Sequence, residues 1–446
     1  MKKTQGFGYK CYCSISCAGV LAFTLVTSKV QAKSITAAND GTGIQVTQTG
    51  NQWDISGGSL SGNGDNLFHS FTQFGLNAGD MPNGGIGGNF SSGEGGVIGC
   101  YGGEDTVLTG ELPQFDLIDP NQGNGTGFGT QIVPLSTGNV VVTKPGDNFA
   151  ADNAGAVYLY NGKTGELIST LTGAQADDRV GSHGVVPLTN GNYVVLSPDW
   201  DNGGISDAGA LTWGDGNTGI SGEVNPSNSL VGSTADDKVG SNGVVALTNG
   251  NYVVLSSWWD NGGVSDAGAA TWGNGSRGIS GEVNPSNSLV GSQTDDEVGW
   301  DGCLYSDGVV ALTNGNYVVR SSLWDNSGVR NAGAVTWGDG SRGISGEVNP
   351  SNSLVGSQTG DKVGSYGVVA LTNGNYVVSS PDWDNGGVSD AGAVTWGNGS
   401  RGISGEVNPS NSLVGSQTDD EVGISASFND FFKDGVVALT NGNYVV

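Results

Sequence analysis

Positive charge is scarce in this chain: 16 lysines and arginines stand against 43 aspartates and glutamates, a formal balance of −27. A surface of that sign repels phosphates, which argues against nucleic acid as a partner and against anionic membrane surfaces. Charge of either sign is thin as well, at 13% of 446 residues, about half the usual share. Only two histidines are present, and no nucleophile elbow, phosphate loop or zinc-type spacing appears. Carboxylates do come in pairs, but they recur along the chain instead of converging as acid–base chemistry requires. These absences argue against an enzyme. No apolar run reaches the roughly 20 residues of a membrane-spanning helix, so no transmembrane helix is expected. Collagen-like Gly-X-Y order and sustained helical periodicity are missing too, which leaves short strands and tight turns as the use for 81 glycines.

The first 32 residues have the form of an export signal. Lys2, Lys3 and Lys10 give a positive start, residues 17–26 are apolar, and Val30-Gln31-Ala32 fits a small-x-small cleavage site. Removal of this segment would take three of the five cysteines and leave Cys100 and Cys303, whose pairing spacing alone does not decide. The expected location is extracellular, secreted or at the cell surface.

The middle and end of the chain are repetitive. Residues 243–254, GVVALTNGNYVV, recur with small changes at 184–195, 308–319, 367–378 and 435–446, and a divergent copy starts at Gln131. The five starts are spaced by 59, 65, 59 and 68 residues. Each copy reads as a β-hairpin turning at Asn249-Gly250 or its equivalent, which would set Leu247 opposite Tyr252 and Val245 opposite Val254. Both faces of such a hairpin are apolar, so it is expected to be covered on both sides. A polar WDNGG-type loop, an AGALTWG-type strand, GISGEV, SNSLVG and an acidic turn complete the unit. An antiparallel sheet of four or five strands in about 59 residues matches a propeller blade, the first choice here. Three coils of β-helix per unit is the alternative. Residues 104–130, read as outer strands without a hairpin, could join the final hairpin as a sixth blade and close a ring. Otherwise the chain is a fragment.

Two stretches carry family resemblances. Residues 35–80, and above all NLFHSFTQFGLNAGD at 66–80, resemble the start of the secretion domain of filamentous haemagglutinin-like, two-partner secretion exoproteins. That resemblance implies an outer-membrane two-partner transporter as partner and a β-helix-like start, here truncated. Residues 177–213, DDRVGSHGVVPLTNGNYVVLSPDWDNGGISDAGALTW, are similar to the integrin-α-type (FG-GAP) propeller repeat. Calcium-binding members of that family use closely spaced aspartates in the hairpin turn, where this chain has Thr-Asn-Gly-Asn, so the resemblance supports calcium only weakly and no other cofactor is implied. The resulting organisation is a signal at 1–32, a truncated secretion segment at 33–80, a glycine-rich linker at 81–103 and an all-β, β-propeller-like domain of about 5–6 blades at 104–446.

Candidate site residues stand where the repeats differ. Two insertions fall between the acidic turn and the hairpin: residues 300–307, with Trp300 and Tyr305, and residues 424–434, with Phe428, Phe431 and Phe432. Aromatics on added loops at one face are candidate contacts for a partner, or they fold back on the adjacent blade. The shared tryptophans, Trp213 and Trp200 with their equivalents, read mainly as packing. The acidic turns at 177–178, 236–237, 295–297, 361 and 419–421 read as solvated, since no DxDxDG spacing is present. The expected function is an adhesin-like binding protein for an extracellular glycan or protein. A structural repeat protein of the outer surface or matrix is the alternative, and a carbohydrate-active propeller enzyme the third reading.

Overall fold

The computed structural model describes residues 116–300, 308–424 and 435–446, together with the backbone of short strands between Thr36 and Asn83. The signal at 1–32, most of the linker at 81–103, Cys100 and Cys303 lie outside the described residues. The chain divides into two compact units, Met1–Val107 and Leu108–Val446. In the first, Gln45–Thr49 and Gln52–Ser56 form an antiparallel hairpin, to which Met81–Asn83 adds in parallel.

The second unit is an all-β, propeller-like array of sheets. Val244–Ala246, Tyr252–Ser256, Ala269–Gly273 and Ser288–Val290 pair antiparallel in that order to make the third repeat. The second, fourth and fifth repeats copy it, at Val185–Val231, Val309–Val355 and Gly367–Val414. The first strands of consecutive repeats touch in chain order, from Ile132–Pro134 to Val437–Ala438. The hydrophobic core lies between sheets. Val253, Leu255 and Leu289 of the third repeat, for example, pack on Tyr317, Val319 and Val355 of the fourth. Every residue of Tyr252–Ser256 is buried, whereas Val244–Ala246 is only half-buried where neighbouring first strands meet. The expected two-sided burial therefore holds for the inner strands of each sheet and weakens at the first.

The hairpin turn differs from expectation by one residue. Ala246, not Leu247, pairs with Tyr252, and Val245 pairs with Val253. A two-residue turn needs positive φ at both central residues. Only Gly250 takes it, at +89°. The Leu247 N–H donates to the Asn251 carbonyl (2.8 Å) and the Gly250 N–H to the Leu247 carbonyl (3.1 Å), closing a three-residue loop with a glycine bulge.

The GISGEV segment also departs from its expected place. Gly281–Glu282 leaves its own repeat and pairs in parallel with Leu230–Val231 of the preceding one. The same exchange recurs at Gly222–Glu223, Gly346–Glu347 and Gly405–Glu406, so each completed sheet has five strands, the last borrowed.

Among the described residues, 116–130 do not close a ring with the C-terminal hairpin. They cap the first repeat instead. Leu117 and Phe128 pack on Tyr158 and Tyr160, and Gly125–Thr126 pairs with Gly146–Asp147. Lys144, fully buried, reaches Asp119 (2.8 Å) and Asp147 (3.0 Å). Tyr158 donates to Asp147 at 2.8 Å. The Val437–Ala438 and Tyr444–Val445 strands form a separate two-stranded sheet.

Glycine is obligatory where a tyrosine crosses the sheet. A Cβ on Gly273 would stand 2.1 Å from the Tyr252 ring, and Gly214, Gly338 and Gly397 meet Tyr193, Tyr317 and Tyr376 the same way. Gly273→Ala is expected to cost about 3 kcal/mol through overpacking, read as a lower urea midpoint. An unchanged midpoint would show that the ring can move aside.

Candidate functional site

Strand direction separates the two ends of every sheet. Hairpin turns and the Gly-x-Gly turns after each AxTWG strand lie at one end. Acidic turns and tryptophan–aspartate loops lie at the other.

The turn end holds the repeats together. The Gly340 carbonyl accepts Asn249 Nδ2 (2.8 Å), Asn251 Nδ2 (2.8 Å) and Trp272 Nε1 (3.0 Å) from the preceding repeat. Gly275 receives Asn190, Asn192 and Trp213 in the same way, and Gly399 receives Asn314, Asn316 and Trp337. Trp213, Trp272 and Trp337 are thus half-buried staples, and the better-buried set is Trp200, Trp259, Trp324 and Trp383.

The opposite end corrects the reading of the acidic turns. In the pairs at 177–178, 236–237 and 295–296 the first aspartate is solvated and the second is buried and structural. Asp237 is fully buried, accepting Ser233 N (2.8 Å) and Thr234 N (2.7 Å) on Oδ2 and Asp260 N of the next repeat (2.9 Å) on Oδ1. Asp178, Asp296 and Asp361 do the same. Burial lifts the Asp237 carboxyl above its ordinary range, against the pull of those N–H donors. Pairing of adjacent acids was visible in sequence, but which one turns inward follows from φ. Asp236 sits at +66°, so its side chain points away from the turn it closes.

One place at this end breaks the repeat. Trp258 occupies a position held by Asp199, Leu323 and Asp382 in sister copies, and it is 45% exposed. The Lys238 ammonium sits over its ring, 5.6 Å from the centroid, and 3.7 Å from Asp236 and 4.0 Å from Asp207. Asp236, Lys238, Trp258, Asp266 and Glu297 line a groove of about 360 Å³. Glu297 is the unusual member. Its Oε2 is buried without a hydrogen-bond partner, and burial, with Asp266 and Asp295 nearby, pushes its carboxyl up to about 7. Asp236, Lys238, Asp266 and Glu297 all have positive φ, but so do their sisters in other repeats, so that strain belongs to the turn and not to a ligand.

Of the residues singled out from sequence, Trp300 is half-buried and lies just beyond the groove, its N–H donating to the Glu297 carbonyl at 2.9 Å. Tyr305, Phe428, Phe431 and Phe432 lie outside the described residues. Trp258 was legible as a doubled tryptophan where sister loops have one. Among the described residues no three His, Cys, Asp or Glu side chains converge as a metal site, and no helix is long and apolar enough to cross a membrane. Arg320, buried among strands that carry leucine or serine in sister repeats, donates to the Gly364 and Ser365 carbonyls at 3.0 Å each.

A family model described as a repeat of unknown function (DUF5650) matches residues 134–182, 187–241, 246–300, 311–365 and 370–424. The chain belongs to that repeat family. The match is to this family and not to the integrin-α-type repeat, and the haemagglutinin-like stretch at 66–80 precedes all five matched segments. Comparison with curated proteins gave no match. Among solved structures, BamB from Moraxella catarrhalis is similar at 10% identity and a TM-score of 0.26, over 61% of this chain and 62% of that one. The chain thus spans less than two thirds of that structure's length.

Two expectations follow. Asp237→Ala leaves three backbone N–H groups without acceptors and should cost about 2 kcal/mol or more, while Asp236→Asn should stay within about 0.5 kcal/mol. Equal losses on urea denaturation would contradict the division of roles. For Glu297, the folded group holds its proton up to about pH 7, whereas the unfolded chain releases it near 4.5. Stability therefore falls as pH rises through that window. Glu297→Gln should raise Tm at about pH 8 and leave it unchanged at about pH 4. An equal change at both would rule out the unpaired charge as the cause.

Proposed function

We propose that this protein is an exported, surface-associated binding module of adhesin type, and that its ligand seat is the Trp258–Lys238 groove. The carrying observation is an exposed indole whose face is partly covered by an ammonium and bordered by carboxylates from two repeats. Aromatic faces stack on sugar rings, and carboxylates and an ammonium next to them meet ring hydroxyls and amines. Glycan is accordingly the favoured ligand class, with amino sugars suited to the acidic lining. The groove lies where one repeat departs from its sisters, which is where recognition is expected on a repetitive scaffold. Its neighbour Trp300 begins the first insertion, so Tyr305 is placed by sequence to extend the contact surface. Export rests on the charged, apolar and small-x-small order of residues 1–32. Use of an outer-membrane two-partner transporter rests on the resemblance of residues 66–80. Binding without turnover is the reading for the groove.

The direct test is a glycan array probed with labelled full-length chain and with Trp258→Ala. Trp258 is exposed, so the variant should fold normally and lose at least tenfold of its signal on the saccharides bound by the wild type. Identical profiles, or no binding by the wild type, would overturn the reading. Retention of amino sugars should also rise between about pH 6 and 8 as Glu297 ionises, and Glu297→Gln should flatten that rise.

A further inference from the structure

The first repeat holds a buried amine between two carboxyl groups, an arrangement its sisters replace with a serine. Lys144 pairs with Ala156 at the end of its strand, the place that Ser197, Ser256, Ser321 and Ser380 take against Ala210, Ala269, Ala334 and Ala393. It is 1% exposed. Its Nζ donates to Asp119 Oδ2 (2.8 Å) and to the Asn121 and Asn124 carbonyls (2.9 and 3.1 Å), and it stands 3.0 Å from Asp147 Oδ2.

The two carboxylates differ in what they take from the lysine. Asp147 is supported without it: its Oδ1 accepts the Phe149 N–H and Asn121 Nδ2, and its Oδ2 accepts the Tyr158 hydroxyl, each at 2.8 Å. Asp119 accepts the Asn121 N–H at 2.9 Å on Oδ1 and turns Oδ2 to the lysine. Leu117, Phe128, Tyr158 and Tyr160 pack beside this cluster, with the Phe128 ring centroid 6.0 Å from that of Tyr158 and 6.3 Å from that of Tyr160. Tyr160 donates to the Ile118 carbonyl at 2.7 Å, which holds the residue before Asp119 in place. Burial pushes both phenols up, so Tyr158 serves Asp147 only as a donor.

We propose that Lys144 and Asp119 condense to an isopeptide bond once the cap has folded, with Asp147 as the proton carrier. One ammonium proton passes to Asp119, which becomes a neutral acid, and the freed Nζ lone pair attacks its Cγ. Asp147 takes a second proton from the nitrogen as the N–C bond forms. It returns that proton to the departing hydroxyl, which leaves as water when the C–O bond breaks. The third proton stays on the amide nitrogen, Asp147 ends as the carboxylate it began, and nothing is oxidised or reduced. Bulk water opposes this condensation. An amine held against a carboxyl, however, has an effective molarity of about 10⁵ M or more, and the neutral amide replaces a desolvated ion pair. The product closes residues 119–144 into a covalent loop and fastens the cap to the first repeat. No cysteine lies among the described residues, so no disulfide does this there. A cross-link of this kind stabilises by restricting the unfolded chain.

The test is a chymotryptic digest of the purified, then denatured, full-length chain, read by mass spectrometry. Cuts after Leu117, Phe128, Leu135 and Phe149 should release residues 118–128 joined to residues 136–149, one water lighter than the two fragments together. Fragmentation should place the link between Asp119 and Lys144. The wild-type digest decides the bond without any variant. Lys144→Arg and Asp119→Ala should each give two separate fragments of full mass. Asp147→Asn should do the same while its circular dichroism stays that of the wild type, since it removes the proton carrier and keeps the side-chain shape. Two separate wild-type fragments of full mass would overturn the proposal and leave an ion pair in its place. So would a link that fragmentation places on any other side chain. An Asp147→Asn chain linked as fully as the wild type would overturn the role given to Asp147.

Discussion

A single carbonyl oxygen gathers the polar contacts at each of three successive interfaces of this array. Gly275, Gly340 and Gly399 each accept two asparagine amides and one indole N–H from the repeat before, one donor more than the oxygen has lone pairs. The three donors share it, and each must sit at the right height for the others to reach. Asn249 serves both the turn and the neighbour, its Oδ1 accepting the Asn251 N–H and its Nδ2 reaching Gly340, while Gly250 takes the positive φ of the three-residue loop. At the other end Asp237 and its sisters repeat the device with backbone and side chain exchanged, a buried carboxylate acceptor gathering three backbone donors. Between these two rows of polar clamps the valines and leucines supply area but little geometry, which is the usual division between packing and direction.

Much of this was legible in the sequence, and what was not has a common cause. The hairpins, their spacing and the blade-sized unit follow from apolar runs and turn residues. The register of Val245 does not, because both faces of the hairpin are apolar and a one-residue slip exchanges one valine for another. The destination of Gly281–Glu282 is equally hidden. A two-residue strand with glycine at its centre carries no face pattern, and its partner is set by where the previous sheet ends. The cap formed by residues 116–130 is not legible as a cap, because Asp119 meets Lys144 from 25 residues away and no local pattern announces that pairing.

The groove teaches a related lesson. In a chain of near-identical units, shared residues describe the scaffold and differences describe use. Trp213 and Trp200 recur and turn out to be staple and core, whereas Trp258 occurs once and is exposed. Glu297 stands where Arg179, Lys238 and Lys362 are basic and Glu421 is again acidic, and it lies beside Asp266 and Asp295. The insertion that begins at Trp300 follows directly. Trp258 is the departure that belongs to one repeat alone, and it stands beside Glu297, whose acidic character only Glu421 shares.

Coupling between repeats can be measured where it originates. Asn249→Ala with Asn251→Ala removes two of the three donors to Gly340, at about 1 kcal/mol each, and also the Asn251 acceptor of the Gly275 N–H within the third repeat. Followed by amide exchange through a urea titration, the double variant should unfold in two steps, residues beyond 308 separating from those before 300. A single transition of unchanged steepness, displaced by less than about 0.5 kcal/mol, would show that apolar contact alone couples the sheets and that the carbonyl clamp is incidental.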